Sequence, residues 1–282
     1  MSIREKVGQL LMIGFQDTKL SSEFIDQLQE YRPGGVILFS RNLVDAEQIA
    51  QLTNSLQEHA PDSPLLIAID QEGGRVSRLP QDFTIFPSAS TVAACQSPDI
   101  AYGVAEITAK ELRAVGINMN MAPVLDVNSN PTNPIIGNRA YGNHPSKVCT
   151  FGTAIMRGLE NNGVIPCGKH FPGHGDTATD SHKALPIVNA NRERLNEIEL
   201  GPFRYAIQQG LPTIMTAHVH YPALDTETSA TLSRPILTDL LRTELGFEGV
   251  TLTDDMEMRA ILDHSTIGEA SVQALKAGAN IV

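Results

Sequence analysis

The chain has 282 residues, of which 41% are hydrophobic, and a formal net charge of −11 at pH 7. Its basic residues are scattered, which argues against a nucleic-acid or anionic-membrane partner, because either needs a positive surface patch. No hydrophobic run approaches the roughly 20 residues of a membrane span, and residues 1–6 do not begin a signal peptide. We therefore expect a cytoplasmic protein, and the absence of a linker predicts a single domain over residues 1–282.

One local pattern repeats along the chain: an amphipathic helix ends at a glycine, and a short apolar run follows within a few residues. Glycine just past a helix accepts the left-handed conformation that closes the last turn. Helix starts are indicated by Asp45 with Gln48 and by Ser97 before Pro98. The apolar runs predict strands over residues 10–15, 36–39, 65–69, 119–122, 164–167, 213–217, 250–253 and 280–282.

Eight such runs alternating with helices predict an α/β fold with parallel strands, either doubly wound or closed into a barrel. The eighth run reaches the last residue of the sequence. A closing helix is therefore expected beyond Val282, so that a barrel of this kind would be cut short at its eighth strand and helix.

Charged or imidazole side chains follow five of the predicted strands. These residues are Asp70, Asp126, Lys169 with His170, His218 with His220, and Asp254 with Asp255. An aspartate after one strand is often only the cap of the next helix. In a barrel, however, all these positions converge at the carboxyl-terminal mouth, where the active site of that fold lies. Five strands with the same feature predict a functional site there.

The segment of residues 169–182 combines glycines with three histidines and two aspartates. It lacks the Gly-Lys-Ser/Thr ending of a phosphate-binding loop, which argues against a nucleotide. Its histidines and aspartates leave a divalent metal open as an alternative. The spacing does not match a zinc helix signature, and Lys169 would repel a cation. We therefore predict no metal and no cofactor.

Four motifs carry a resemblance to a known family: residues 70–76 (Asp-Gln-Glu-Gly-Gly-Arg-Val), 137–139 (Gly-Asn-Arg), 169–182, and 253–256 (Thr-Asp-Asp-Met). With these motifs the sequence resembles glycoside hydrolase family 3, in its bacterial β-N-acetylhexosaminidase branch of cell-wall recycling, over essentially the whole chain. The Asp-Ser-His at residues 180–182 distinguishes that branch from the β-glucosidases of the family. The resemblance implies a (β/α)8 TIM-type barrel and a retaining β-N-acetylglucosaminidase that acts on a small GlcNAc-containing carbohydrate.

The resemblance also implies roles for individual residues. Asp254 corresponds to the nucleophile and His182 to the acid/base, with Asp180 orienting the imidazole of His182. Contacts to the sugar are implied for Asp70, Arg75, Arg139, Lys169 and His170. For Arg75, an ion pair that ties the loop to a carboxylate is an equal alternative.

Two hypotheses about mechanism go beyond these roles. A neutral histidine base repels an anion less than a carboxylate does, so we expect some phosphorolysis beside hydrolysis. Gly173 and Gly175 predict a mobile loop that brings His182 over the sugar. A metal-dependent barrel hydrolase and a non-catalytic sugar-binding paralogue remain alternatives. The sequence leaves open whether the aglycone is an anhydro-muropeptide or a chitin fragment, and it favours a monomer without deciding the oligomeric state.

Overall fold

The computed structural model describes residues 1–60 and 63–282. Seven parallel strands form one sheet in which the strand order follows the chain. The strands are β1 (Met12–Ile13), β2 (Gly35–Leu38), β3 (Leu66–Ile69), β4 (Met119–Asn120), β5 (Ile165–Phe171), β6 (Thr213–Thr216) and β7 (Val250–Leu252). Because each strand pairs with its sequence neighbour, every connection is a crossover that places helical structure on one face of the sheet.

Ten α-helices lie before, between or after the strands of the described residues: α1 (Ile3–Gly8), α2 (Ser22–Tyr31), α3 (Ala46–Glu58), α4 (Ala89–Ala94), α5 (Pro98–Ala114), α6 (Pro145–Asn161), α7 (Arg192–Glu197), α8 (Leu200–Gln208), α9 (Arg259–Leu262) and α10 (Ile267–Ala277). A π-helix spans Pro235–Glu244, and short 3-10 helices span Ser40–Asn42, Gly137–Arg139 and Ala230–Leu232. In the described part of the chain, none of these helices is long and apolar enough to cross a membrane.

The predicted helix signals agree with the structure at most junctions. Asp45 accepts a hydrogen bond from the backbone N–H of Gln48 at 2.8 Å and so begins α3 as expected. The predicted glycine just past a helix is found with a positive φ angle at four positions: Gly116, Gly163, Gly210 and Gly246. At the end of α2, Arg32 takes the left-handed conformation (φ 49°) in place of a glycine.

Each of the first seven predicted runs overlaps one strand of the sheet, which confirms the predicted α/β fold with parallel strands. The longest strand is β5, which continues to Phe171 and so carries its polar residues within the strand rather than after it. The eighth run differs because it contains no strand. Ile281 forms one isolated parallel bridge with Leu252.

Backbone hydrogen bonds nevertheless connect residues 280–282 to both edges of the sheet. The N–H of Thr253 donates to the carbonyl of Ile281 at 3.0 Å, next to β7. On the other side, the N–H of Val282 donates to the carbonyl of Leu10, and the N–H of Met12 donates to the carbonyl of Val282 at 2.8 Å. The eighth strand itself stays a prediction.

Buried apolar side chains form two clusters. The larger one lies between the sheet and the helices and includes Ile67 and Ile69. A smaller inner cluster consists of Ala68, Met119, Met121, Cys167, Met215, Leu252 and Ile281. Successive side chains of a strand point to opposite faces, so the inner cluster marks the face of the sheet that the helices do not cover.

Candidate active site

The period of two along a strand decides which polar side chains lie above the inner cluster. Asp70, Lys169 and Asp254 each lie two residues beyond a member of that cluster, and therefore project from the same face at the carboxyl-terminal end of their strands. Parallel strands bring these ends to one edge of the sheet. The alternation of side chains along parallel strands thus places three of the predicted residues close together.

Two of these side chains join Glu72 and Arg139 in an ion cluster, which consists of Asp70, Glu72, Arg139 and Lys169. The Nζ of Lys169 lies 2.5 Å from Asp70 Oδ1 and 2.7 Å from Glu72 Oε1, and the Lys169 side chain is only 2% exposed. Arg139 binds Glu72 through two parallel hydrogen bonds, Nε to Oε2 at 2.9 Å and Nη2 to Oε1 at 2.8 Å. Two cations thus offset two carboxylates, which is the arrangement that buried charges need.

Glu72 and Lys169 stay charged at neutral pH. Burial alone would raise the pKa of Glu72, but Lys169 and Arg139 offset that effect and hold the pKa far below its usual value. Burial alone would lower the pKa of Lys169, yet Asp70 and Glu72 raise it above its usual value. The cluster therefore presents fixed donors and acceptors to anything that enters from the sheet edge.

His170 connects the ion cluster to a deeper carboxylate. Its Nδ1 lies 2.6 Å from Asp126 Oδ2, and its Nε2 lies 3.3 Å from Nη2 of Arg139. A guanidinium can only donate, so Nε2 is the acceptor and Nδ1 carries the hydrogen that Asp126 accepts. Asp126 is fully buried and also accepts the backbone N–H of His174 at 2.6 Å. Burial raises the pKa of Asp126, but His170 and His174 lower it more, so the carboxylate stays charged.

Asp254 follows β7 and is half-buried beside His170 and Lys169. Its Oδ1 accepts a hydrogen bond from the backbone N–H of Asp255 at 2.9 Å, which fixes the orientation of the carboxylate. Burial alone would raise the pKa of Asp254, but His170, His218, the Asp255 N–H and Lys169 together hold it below its usual value. An ionised carboxylate at this position is the form that can attack an electrophile.

The predicted Asp180–His182 pair lies at the rim. Asp180 Oδ1 lies 2.9 Å from His182 Nδ1 and also accepts the backbone N–H of His182 at 2.9 Å. The His182 side chain is 61% exposed, so it can exchange protons with solvent. Burial raises the pKa of Asp180, but the N–H and imidazole of His182 lower it below its usual value. The charged Asp180 therefore selects the His182 tautomer with hydrogen on Nδ1 and leaves Nε2 for proton transfer.

The segment that carries this pair, residues 172–183, is called the His182 loop below. Its first half is tied down by Asn133, whose Nδ2 donates to the carbonyls of His174 and Gly175 at 2.9 and 3.0 Å. A Cβ atom on Gly175 would lie 1.6 Å from the carbonyl oxygen of Val127. Gly175 therefore serves a close approach between backbones, which is a different role from the loop motion that the sequence predicts for it.

The second half of the His182 loop is held at Ser181. The Ser181 carbonyl accepts the N–H of Ala260 at 3.2 Å, and its Oγ lies 3.1 Å from Nε2 of His174. Burial lowers the pKa of His174 to about 4, so this imidazole is neutral and acts within the loop. The two residues on either side of the His182 imidazole, Asp180 and Ser181, are thus both held by hydrogen bonds, and loop motion at Gly173 and Gly175 stays a prediction.

A cavity of about 180 Å³ opens at this edge of the sheet. It is lined by Asp70, Val76, Arg78, Ile135, Arg139, Lys169, His170, His174, Ser181, His182, Met215 and Asp254. Six of the eight residues predicted for the site line it. Asp180 stands behind His182, and Arg75 lies outside the cavity on the surface, where its guanidinium donates to the backbone carbonyls of Ile135 and Ile136. Arg75 has no carboxylate partner among the described residues.

Two charged residues of the site, Arg78 and Glu72, received no role from the sequence. Arg78 lines it, and its Nε is buried without a hydrogen-bond partner among the described residues. Val76 and Arg78 are two residues apart and both face the cavity, so alternation along this extended segment was the available signal. Glu72 was present in a quoted motif but received no role, because nothing in the sequence shows that it is shared between Lys169 and Arg139.

Three other residues predicted at the ends of strands lie outside the cavity. Asp126 and His218 are buried and do not line the cavity, and Nε2 of His220 contacts the carbonyl of Asp225. Within residues 1–60 and 63–282, no three His, Cys, Asp or Glu side chains are arranged to hold a metal ion. A larger cavity of about 630 Å³ lies at the opposite edge of the sheet, lined in part by Gln9 and Leu65, which precede strands.

Comparison with known proteins agrees with this geometry. Residues 2–282 match the family model described as the glycosyl hydrolase family 3 N terminal domain. The chain is 42% identical over 284 residues to beta-hexosaminidase A of Pseudoalteromonas piscicida, covering 94% of this chain and 48% of that protein.

Two solved structures show the same fold. One is a glycoside hydrolase family 3 beta-N-acetylglucosaminidase from Paenibacillus sp. str. FPU-7, with a TM-score of 0.98 and 47% identity over 100% of this chain and 54% of that one. The other is NagZ from Neisseria gonorrhoeae in complex with N-trifluoroacetyl-D-glucosamine, with a TM-score of 0.89 and 34% identity over 97% of this chain and 80% of that one. The chain thus spans about half the length of the first two relatives and most of the third. The predicted family is confirmed: this chain belongs to glycosyl hydrolase family 3.

Proposed function

We propose that the protein is a retaining β-N-acetylhexosaminidase that removes terminal β-linked N-acetylglucosamine from small oligosaccharides. The observation that carries the proposal is that Asp254, held ionised, and the Asp180–His182 pair meet at one cavity. Relatives named beta-hexosaminidase support the choice of sugar, as does the glucosamine derivative bound to the Neisseria protein.

In the proposed mechanism the ion cluster, His170 and Arg78 bind the hydroxyl groups of the sugar. Asp254 attacks the anomeric carbon while the imidazolium of His182 protonates the departing glycosidic oxygen. The neutral imidazole then removes a proton from water, which attacks the same carbon and releases Asp254 with net retention. Asp180 orients His182 in both steps, in the manner of the aspartate of a hydrolase triad. Arg75 has the weakest support for a sugar contact, because it lies outside the cavity.

Phosphate in place of water is a second acceptor that this site could use. The base is a histidine, and the exposed rim gives an anion access to it. We therefore keep some phosphorolysis as part of the proposal. Added phosphate should yield N-acetylglucosamine 1-phosphate, and its absence from the products would restrict the reaction to hydrolysis.

We further propose that the sheet is a closed (β/α)8 barrel with residues 280–282 in the place of the eighth strand, within a single domain. The support is that Val282 hydrogen-bonds to Leu10 and Met12 while Ile281 bridges to Leu252. Closure fixes the distances between strand ends, so it holds Asp254 against Lys169. A cytoplasmic location and a peptidoglycan-derived substrate stay predictions.

The test compares release of p-nitrophenol from its β-N-acetylglucosaminide and from its β-glucoside, with a chelator present. We expect turnover of the acetamido sugar alone, and a β-configured N-acetylglucosamine as the first product seen by proton NMR. Equal turnover of the glucoside would contradict the substrate, an α-configured first product would contradict retention, and loss of activity on chelation would favour the metal-dependent alternative.

A further inference from the structure

His218 lies directly beneath the turn that follows Asp254. Its side chain is 1% exposed and does not line the cavity, so it is not placed to touch a substrate. Its Nε2 lies 3.0 Å from the backbone carbonyl of Asp255, and its Nδ1 lies 2.7 Å from Oγ1 of Thr231. A buried imidazole with both nitrogens engaged is held in one orientation.

The backbone of Asp255 connects this imidazole to the Asp254 carboxylate. The Asp255 N–H donates to Asp254 Oδ1 at 2.9 Å. The Asp255 carbonyl accepts from His218 and, within the turn, from the N–H of Met258 at 3.1 Å. The residue that sets the carboxylate orientation is therefore itself fixed from below by His218. A shift of the Asp255 peptide would turn its N–H away from Asp254.

The hydrogen-bond partners also decide which nitrogen of His218 carries the proton. A carbonyl only accepts, so Nε2 must donate to Asp255. The single hydrogen of the Thr231 hydroxyl lies between two acceptors, Nδ1 of neutral His218 at 2.7 Å and the backbone carbonyl of Ala217 at 3.0 Å, and the donation of Nε2–H to Asp255 does not depend on which of them receives it. Burial lowers the pKa of His218, although Asp254 and Asp255 oppose that effect, so the neutral form prevails at neutral pH.

We propose that His218 is a positioning residue for the nucleophilic step: its Nε2–H holds the Asp255 peptide, and that peptide holds the Asp254 carboxylate on the line of attack. The inference rests on the proposed role of Asp254 as nucleophile. A misplacement of about 1 Å at a reacting group can cost about 10²-fold in rate. The loss of this hydrogen bond is therefore expected to slow attack while leaving sugar binding intact.

His220 provides a matched control from the same strand end. Its Nε2 also contacts the backbone carbonyl of an aspartate, Asp225, at the same 3.0 Å. The side chain of Asp225 binds Ser233 and the N–H of Glu227, well away from the nucleophile turn. The two histidines thus make the same kind of bond, and only one of them is connected to Asp254.

The experiment measures formation of the glycosyl-enzyme in the 282-residue chain with a 5-fluoro N-acetylglucosaminyl fluoride. In that step a carboxylate oxygen of Asp254 bonds to the anomeric carbon and the C1–F bond breaks, so that fluoride leaves with the electron pair. Intact-protein mass spectrometry gives the labelling rate, and calorimetry with N-acetylglucosamine gives the Kd. We compare His218→Ala, His218→Gln, His220→Ala and His220→Gln with the unchanged chain.

We expect His218→Ala to lower the labelling rate by about 10²-fold, and His218→Gln, whose amide can still donate to Asp255, to recover at least half of that loss on a logarithmic scale. The Kd and both His220 variants should stay within about threefold of the unchanged chain. Unchanged labelling by His218→Ala, or glutamine no better than alanine, would overturn the inference alone. Absence of labelling at Asp254 in the unchanged chain would overturn the proposed function. If His218→Ala fails to fold, Thr231→Val, which frees Nδ1, must slow labelling instead.

Discussion

The ion cluster and the His182 loop meet at one cavity but are held in very different ways. Lys169 is 2% exposed and lies between two carboxylates, whereas His182 is 61% exposed and has one carboxylate partner. The cluster is therefore fixed in position and charge before a substrate arrives. The His182 loop carries an imidazole that can exchange protons with water, and the contacts that hold this loop are made by the residues around His182.

This difference matches the demands of the proposed reaction. Recognition of a sugar and stabilisation of developing charge work best with groups that do not reorganise. A group that donates and then removes a proton must change its charge during each turnover, and burial in a low dielectric opposes such changes. We therefore expect variants of the buried part to affect every substrate, and variants of the loop to affect substrates according to their need for a proton.

The largest effect is expected for Asp254→Asn, which keeps the shape of the side chain but removes the attacking carboxylate. Activity should fall by about 10⁴-fold or more on activated and unactivated glycosides alike, because no leaving group substitutes for a nucleophile. Steady-state kinetics on aryl and alkyl β-N-acetylglucosaminides measure both.

Asp255→Asn is the matched control. The Asp255 side chain is exposed and, among the described residues, accepts only the N–H of Glu257, while its backbone makes the contacts to Asp254 and His218. This variant should keep activity within about tenfold. A loss as large as that of Asp254→Asn would place the nucleophile at the wrong aspartate.

The loop side of the comparison is tested by His182→Ala. We expect a loss of about 10² to 10³-fold in kcat on an alkyl β-N-acetylglucosaminide, and less than about tenfold on the dinitrophenyl glycoside, whose leaving group needs no proton. Asp180→Asn should give a smaller loss in the same direction, since the imidazole remains. Equal losses on the two substrates would contradict the role of His182 in proton transfer.

The next prediction concerns the stability of the ion cluster. Glu72→Gln leaves Lys169 and Arg139 buried with one carboxylate fewer, and the free energy of unfolding should fall by about 3 kcal/mol at pH 7. Glu106→Gln is the control, because Glu106 forms an exposed i,i+4 pair with Lys110 at 2.6 Å and should cost at most about 0.5 kcal/mol. Urea unfolding measures both, and equal costs would mean that burial adds nothing to the cluster.

The effect of Glu72→Gln on the free energy of unfolding should also depend on pH. The pKa of Glu72 is lower in the folded chain than in the unfolded chain, so its ionisation stabilises the fold above the unfolded pKa of about 4.3. This contribution is lost as the pH falls below that value toward the folded pKa. The stability difference between the unchanged chain and Glu72→Gln should therefore be largest near pH 7 and shrink below about pH 4. A constant difference across that range would contradict the assignment.

The parts of the site that follow from strand register could be predicted from the sequence. Asp70, Lys169 and Asp254 each end an apolar run, and the parallel fold then brings them to one edge whatever the helices do. The eighth strand stays a prediction, because residues 280–282 make backbone hydrogen bonds to Leu10, Met12 and Thr253 and one isolated bridge to Leu252 but form no strand.

The parts that depend on loop conformation could not be predicted. The anchoring of the His182 loop comes from Asn133, 41 residues before His174, and no local pattern connects the two. The sequence predicts a mobile loop at Gly175, yet in the structure Gly175 lies so close to the Val127 carbonyl that a Cβ atom would not fit. In both cases the deciding contact is made to a backbone carbonyl far away in the sequence, which composition and spacing do not encode.

The positions of the two arginines after β3 also could not be predicted from the sequence, and they provide the prediction with the smallest expected effect. The motif at residues 70–76 directs attention to Arg75, but Arg78 lines the cavity and has a buried Nε without a partner among the described residues. A sugar hydroxyl or acetamido oxygen would satisfy that N–H, and a hydrogen bond to a charged donor contributes about 1.5–3 kcal/mol. Arg78→Ala should therefore raise KM by about tenfold or more, whereas Arg75→Ala should leave KM within about threefold. Steady-state kinetics on the p-nitrophenyl substrate decide between them: a larger effect from Arg75 would mean that the substrate extends onto the exposed surface beyond the cavity, and that the fixed part of the site does not end at the ion cluster.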